Sequence, residues 1–276
     1  MPKHTPEVKT LFPAWRFDHW RAVDDRVRGG SSISHLDEIE LDSKVNLPLN
    51  EDETLEKGNK NIGARFWGTL DINTLGGAGF ASQSYRYGPP PLELPRISYS
   101  GVSVTYLPDP QTKYTSSTPR DFVLVLKPNP TAQIPKHPKT PGSPREAQLT
   151  YEANFSLSSF YLDNSHKEKK VEFGWNQFEP TYRGRNIPEG DPKWVPLDPK
   201  AIFELSIMCR SDFGKQQGEF GVVITSIQAI KTKTSVGIWS NIIEWWNGFS
   251  TYVGRFFGWN RITLDEVDDE EKRLIA

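Results

Sequence analysis

The stretch Leu149-Thr150-Tyr151-Glu152-Ala153-Asn154-Phe155-Ser156-Leu157 alternates without a break. Leu149, Tyr151, Ala153, Phe155 and Leu157 share one face, and Thr150, Glu152, Asn154 and Ser156 share the other. Successive side chains of a strand point to opposite faces, so this period of two marks a β-strand with one face in a core. The same period recurs on both sides of it. In Ala64–Ile72, Phe66, Leu70 and Ile72 oppose Arg65, Thr69 and Asp71; Val102, Val104 and Tyr106 line up in Gly101–Leu107; Val171, Phe173 and Trp175 follow. Gly79–Tyr87 is a further strand candidate. Phe122–Leu126, Ile202–Cys209 and Phe220–Ile227 are more densely apolar, which suits central strands. Pro and Gly clusters separate the runs, and no amphipathic crossover helix lies between them, as parallel α/β would require. The expectation is an all-β, antiparallel β-sandwich, with Phe66, Leu70, Val104, Leu124, Tyr151, Phe155, Phe173 and Ile224 in one core.

Composition narrows the function classes. Net charge is −2 over 276 residues, so nothing in the global field favours nucleic acid. Cys209 is the single cysteine, which excludes an internal disulfide framework and a cysteine zinc cluster. His4, His19, His35, His137 and His166 are scattered, with no helical i, i+4 pair to hold a metal. Cys209 sits in an apolar run and reads as a buried, inert thiol. The run Gly76-Gly77-Ala78-Gly79 lacks the Lys-Ser/Thr ending of a phosphate loop and reads as a hairpin turn. No catalytic residue, metal site or cofactor is expected. Met1 to Trp20 has neither the apolar core of a secretory signal nor the character of a mitochondrial presequence.

Three polar stretches read as surface insertions: Asp37–Lys60, Pro108–Pro119 and the proline-rich Pro128–Pro144. Beyond residue 232 the period changes. Trp239, Ile242, Ile243, Trp246, Phe249, Val253, Phe256 and Phe257 fall at helical spacing, followed by an acidic end. The expected organisation is a β-sandwich over 12–232 and an amphipathic helical tail over 233–276. The aromatic stripe of the tail either packs on the sandwich or lies weakly in a membrane interface.

Two segments stand out as structural or partner-binding motifs. In Asp24 to Ser32, the glycines Gly29 and Gly30 permit a tight turn, Asp25 can pair with Arg26 or Arg28, and Ser31 and Ser32 can bond exposed backbone N–H groups. The expected role is a turn that locks the N-terminal segment onto the sandwich. In Trp175 to Arg185, Trp175 and Phe178 can anchor a strand end. Past Pro180, Arg183 and Arg185 straddle Gly184 and can share one side of an extended loop, where arginine forks suit carboxylates or phosphates.

These segments also carry a resemblance. Trp20, Asp25-Arg26-Val27, Gly29-Gly30-Ser31-Ser32, Phe66-Trp67-Gly68, Gly77 and Gly79-Phe80-Ala81-Ser82 occur in the order seen at the start of the complex I intermediate-associated domain. Phe178-Glu179-Pro180-Thr181-Tyr182-Arg183-Gly184-Arg185 is similar to its later signature, and Leu205, Asp212-Phe213-Gly214 and Gly218-Glu219-Phe220 through Ile227 resemble its closing strands. Arg28 stands where that pattern has Met. The resemblance implies a galactose-binding-like jelly roll and a non-enzymatic, chaperone-like role on complex I assembly intermediates. It also implies a place on the matrix side of the inner mitochondrial membrane. A cytoplasmic location stays open because Met1 to Trp20 does not read as a presequence. Two alternatives compete. One is a divergent paralogue scaffolding another membrane-associated complex. The other is a carbohydrate- or small-ligand-binding sandwich, with Trp67 or Trp194 as a sugar platform.

Overall fold

A computed structural model describes residues 8–12, 14–41, 62–130, 148–158 and 168–232. The expected helical tail, its aromatic stripe and most of the proline-rich stretch lie outside these residues. The described strands are β1 (Val8–Phe12), β2 (Trp20–Ala22), β3 (Ile33–Glu40), β4 (Ile62–Leu70), β5 (Phe80–Arg86), β6 (Tyr99–Pro108) and β7 (Asp121–Lys127). They continue with β8 (Leu149–Ser156), β9 (Lys169–Gly174), β10 (Glu179–Tyr182), β11 (Arg185–Asn186), β12 (Glu204–Arg210) and β13 (Gly218–Lys231). All pair antiparallel, in two sheets. One runs β3-β4-β13-β6-β9, with β1 also on β13; the other runs β11-β10-β8-β7-β12-β5-β2.

The inner faces meet through aromatic rings. Phe66 of the first sheet lies 6.2 Å from Phe122 of the second, and Tyr106 lies 4.9 Å from Phe155. The eight residues expected in the core are all buried there together. β7, β12 and β13, the densely apolar runs, are interior strands flanked on both sides.

β13 keeps its inward face through an irregularity. Phe220, Val222 and Ile224 point into the core at period two, but the next inward residues are Ile227 and Ala229. The register against β6 shifts between Ile224 and Ser226, which inserts Thr225 as an extra residue. A bulge of this kind flips the phase, so the apolar set stays inside along the whole strand. The N-terminal segment closes one side of the sandwich. Phe12 of β1 packs 5.1 Å from Tyr85 of β5 and 5.2 Å from Trp20 of β2, joining the two sheets by an aromatic contact.

Two expectations are corrected. The stretch read as an insertion from Asp37 begins as strand, because β3 continues to Glu40 and pairs with β4. Its charged residues Asp37, Glu38 and Glu40 are exposed while Leu36 packs against the core, so polarity there marks an edge strand. The Gly76–Gly79 run is not a hairpin turn. β4 pairs with β3 and β13, whereas β5 pairs with β12 and β2, so the segment crosses from one sheet to the other.

Candidate functional site

The Asp24–Ser32 segment is built around two buried carboxylates. Asp25 accepts hydrogen bonds from the Ser32 backbone N–H (2.9 Å), the Ser32 hydroxyl (2.6 Å) and the Phe80 N–H (3.2 Å). Asp24 accepts from the Ser34 hydroxyl (2.5 Å), the Ser34 N–H (3.2 Å) and the Ser82 N–H (3.0 Å). Each aspartate therefore ties the start of β3, in one sheet, to β5, in the other. A carboxylate accepting backbone and hydroxyl donors replaces water with fixed partners, so its burial is compensated. Gly29 takes a left-handed φ of 87°. A Cβ on Gly30 would lie 2.3 Å from Asp25 Cγ, so only glycine leaves room for that carboxylate. The expected pairing of Asp25 with Arg26 or Arg28 is replaced. Arg26 pairs with Asp24 at 2.9 Å, and the Arg28 guanidinium lies over the Phe80 ring, 5.4 Å from its centroid. Ser32 and Phe80 supply three donors to the buried Asp25 carboxylate in the place expected for an arginine.

The neighbouring loops are stitched to this turn. Ser31 and Thr74 hydroxyls are 3.0 Å apart, and Ser32 Oγ accepts from the Asp71 N–H at 3.0 Å. Ser211 Oγ donates to the Gly77 carbonyl (2.7 Å) and accepts from the Gly79 N–H (2.9 Å). Three motifs separated in sequence, Asp25–Ser32, Gly77–Ser82 and Ser211–Gly214, thus meet at one end of the sandwich.

Phe178–Arg185 does not join them. Tyr182 lies opposite Leu149 at the far end of β8, whereas Ser156, at the other end of β8, lies opposite Asp121 beside the Ser211 loop. Trp175 and Phe178 are buried 6.1 Å apart, and Pro180 is buried on β10. The extended loop expected around Arg183 and Arg185 is a tight hairpin turn instead. Arg183 and Gly184 both take positive φ, 53° and 74°, the geometry that joins two twisted strands in two residues. The Arg183 guanidinium then folds back over the Tyr182 ring, 5.4 Å from its centroid.

The outer face of the second sheet carries charge that sequence reading missed. Glu204 is fully buried, with Arg21 at 2.6 Å, Arg86 at 2.9 Å and Lys127 at 3.2 Å, each from a different strand. Glu152 of β8, also buried, is bonded by Arg210 of β12. Burial pushes the Glu152 carboxyl up, against the pull of the Arg210 guanidinium, and burial likewise draws the Lys127 ammonium down against Glu204. Glu204 and Ser206 alternate with Leu205 and Ile207, a short period-two signal inside a stretch read as one dense apolar run. At the Ser211 end of this face lies a recess of about 320 Å³ lined by Asp121, Asn154, Ser156, Arg210, Lys215 and Gln216, among others.

Other candidates are placed plainly. His35 stacks on the Trp67 ring at 4.5 Å, Arg65 lies over it at 4.6 Å and its N–H donates to Asp37, so this ring already has partners where a sugar platform needs a bare face. Cys209 is buried, which raises its thiol well above the ordinary range. Among the described residues, no group of three or more His, Cys, Asp or Glu is placed to hold a metal ion.

Residues 11–224 match the sequence model of complex I intermediate-associated protein 30. The chain belongs to that family. It is also 36% identical over 217 residues to a Schizosaccharomyces pombe protein described as uncharacterised, covering 78% of this chain and 80% of the relative. The complex I intermediate-associated match runs from β1 to the residue before the β13 bulge, and so takes in strands of both sheets. Both the Asp25–Ser32 turn and the Phe178–Arg185 hairpin fall within it.

Proposed function

We propose that this chain is a non-enzymatic assembly factor that binds intermediates of mitochondrial respiratory complex I from the matrix side of the inner membrane. The observation that carries the reading is the family match over 11–224. In this reading 12–232 form one domain of galactose-binding-like jelly-roll type and 233–276 a separate tail. The loops held by Asp25–Ser32 and the hairpin around Phe178, Pro180, Arg183, Gly184 and Arg185 are candidate partner surfaces at opposite ends. The turn residues hold one another, which suits a rigid platform for a client better than a pocket for turnover. Weak contact of the tail with a membrane interface belongs to the same proposal. Flotation with neutral liposomes, lost on truncation at Thr234, is its test.

The deciding experiment for the main reading is affinity purification of the tagged full-length chain with quantitative mass spectrometry. Enrichment of complex I subunits and early assembly intermediates is expected. Enrichment of a different complex, with complex I subunits at background, overturns it.

A further inference from the structure

The link from β12 to β13 contains three consecutive left-handed residues: Asp212 at φ 45°, Phe213 at 58° and Gly214 at 91°. Glycine takes that region freely and aspartate tolerates it, but in a phenylalanine there the Cβ crowds the following carbonyl oxygen. The turn is held by its frame. The Ser211 carbonyl accepts the N–H groups of Gly214, Lys215 and Gln216 at 3.1, 2.9 and 3.2 Å. The Gln216 side chain accepts from the Arg120 and Asp121 N–H groups and donates to the Asp121 and Arg210 carbonyls. Ser211 Oγ fixes the same loop to Gly77 and Gly79. None of these bonds uses the Phe213 ring, and the residue is 63% exposed. Strain that persists only because the surroundings impose it, and that ends by presenting a large apolar side chain to water, points to use of that side chain.

The recess beside it supplies the second half of a surface. Arg210 is committed to Glu152 and Asn154, and Lys215 pairs with Asp212 at 2.6 Å. The Asp121 carboxylate, on the rim, accepts no hydrogen bond and joins no ion pair among the described residues. Arg210 and Lys215 balance Asp121 and Asp212 over the lining as a whole, and Asp121 is the carboxylate there that no cation of the lining pairs with.

We propose that Phe213 is a docking anchor for a protein partner, one that offers an apolar pocket to the ring and a lysine or arginine to Asp121. The proposal rests on the assembly-factor reading and names the surface it would use. With the backbone already fixed, binding has only the two side-chain torsions of the ring to order, which is what makes aromatic residues effective anchors. The unpaired Asp121 carboxylate asks for a cationic group, which an anionic membrane surface does not offer.

The test uses the full-length tagged chain and three variants: Phe213→Gly, Asp121→Asn and, as a control on another exposed apolar residue, Ile97→Ala. The main protein enriched by the wild type is identified, purified and titrated directly against each. Phe213→Gly should keep or raise the melting temperature, since glycine suits that φ, while weakening partner binding on the order of ten-fold or more. Asp121→Asn should weaken binding less and flatten its salt dependence, and Ile97→Ala should bind as wild type. Undiminished binding by Phe213→Gly at full stability overturns the anchor. If complex I subunits are recovered equally by wild type and Phe213→Gly, the anchor falls and the assembly reading stands. If the wild type enriches another protein that Phe213→Gly loses, the assembly reading falls and the anchor stands. A wild type that enriches no protein, or that floats with phosphatidylserine vesicles through Phe213, overturns the anchor.

Discussion

Asp25 takes two hydrogen bonds from Ser32, one from the backbone N–H at 2.9 Å and one from the hydroxyl at 2.6 Å. The chain can curl back far enough for both only because residue 30 has no side chain in the path. Gly29→Ala meets open space and should cost only the left-handed conformation, about 1–2 kcal/mol. Gly30→Ala drives a Cβ into the Asp25 carboxylate and should cost more, with loss of folded yield. Denaturant unfolding of the two variants side by side checks this. Equal or reversed costs would mean that the carboxylate does not organise the turn.

Phe155 contacts Tyr106 across the sandwich and lies 5.7 Å from Phe122 on the neighbouring strand. Phe155→Ala should lower unfolding free energy by roughly 3–5 kcal/mol. A change within about 0.5 kcal/mol is what a surface residue gives, and would remove this ring from the core.

Glu204 holds three cations on one sheet face, so its removal leaves them facing one another. Glu204→Ala should destabilise by about 3–5 kcal/mol, as breaking a buried ion pair does. Adding Lys127→Met to that variant should recover part of the loss by removing one of the cations crowded on that face. If the double variant is less stable than the single one, mutual repulsion is not the cause.

Burial raises the Glu152 carboxyl above its ordinary value of 4.5. The folded state therefore holds a proton more tightly than the unfolded chain does. Stability from this group is full below 4.5 and is lost as pH climbs through the raised folded value. Glu152→Gln cannot ionise, so its melting temperature should improve relative to wild type between acid and neutral pH. A difference that stays constant across that range would count against the assignment.

The strands with one buried face could be read from the chain because their alternation is local. β8 is the clearest case, with Tyr151 and Phe155 inside and Asn154 outside. The pairing order could not, since Ile207 finds both Gln83 and Leu124 across long loops. The Thr225 insertion left a trace, the paired polar residues Thr225-Ser226 between Ile224 and Ile227, inside a stretch read as one dense apolar run. The Asp25 motif was visible by residue type, but its partner Phe80 is fixed only when the two sheets come together. Glu204 was legible only in part: it and Ser206 alternate with Leu205 and Ile207, but nothing local shows that their polar face is buried too.

β13 has a temporal consequence. Remove it, and the first sheet separates into β3-β4, β6-β9 and an unattached β1. Remove β12, and the second separates into β11-β10-β8-β7 and β5-β2. The two strands that join every piece are also the last two of the described strands to be made. A chain growing from the ribosome can assemble hairpins early, yet the second sheet cannot become continuous until Arg210 has emerged, nor the first until Lys231 has. Until then open strand edges wait in solution, where they invite pairing with other chains. Interrupting synthesis before Gly218 leaves fragments that must be sheltered or destroyed, and the burden on the cell's own chaperones falls at the end of translation.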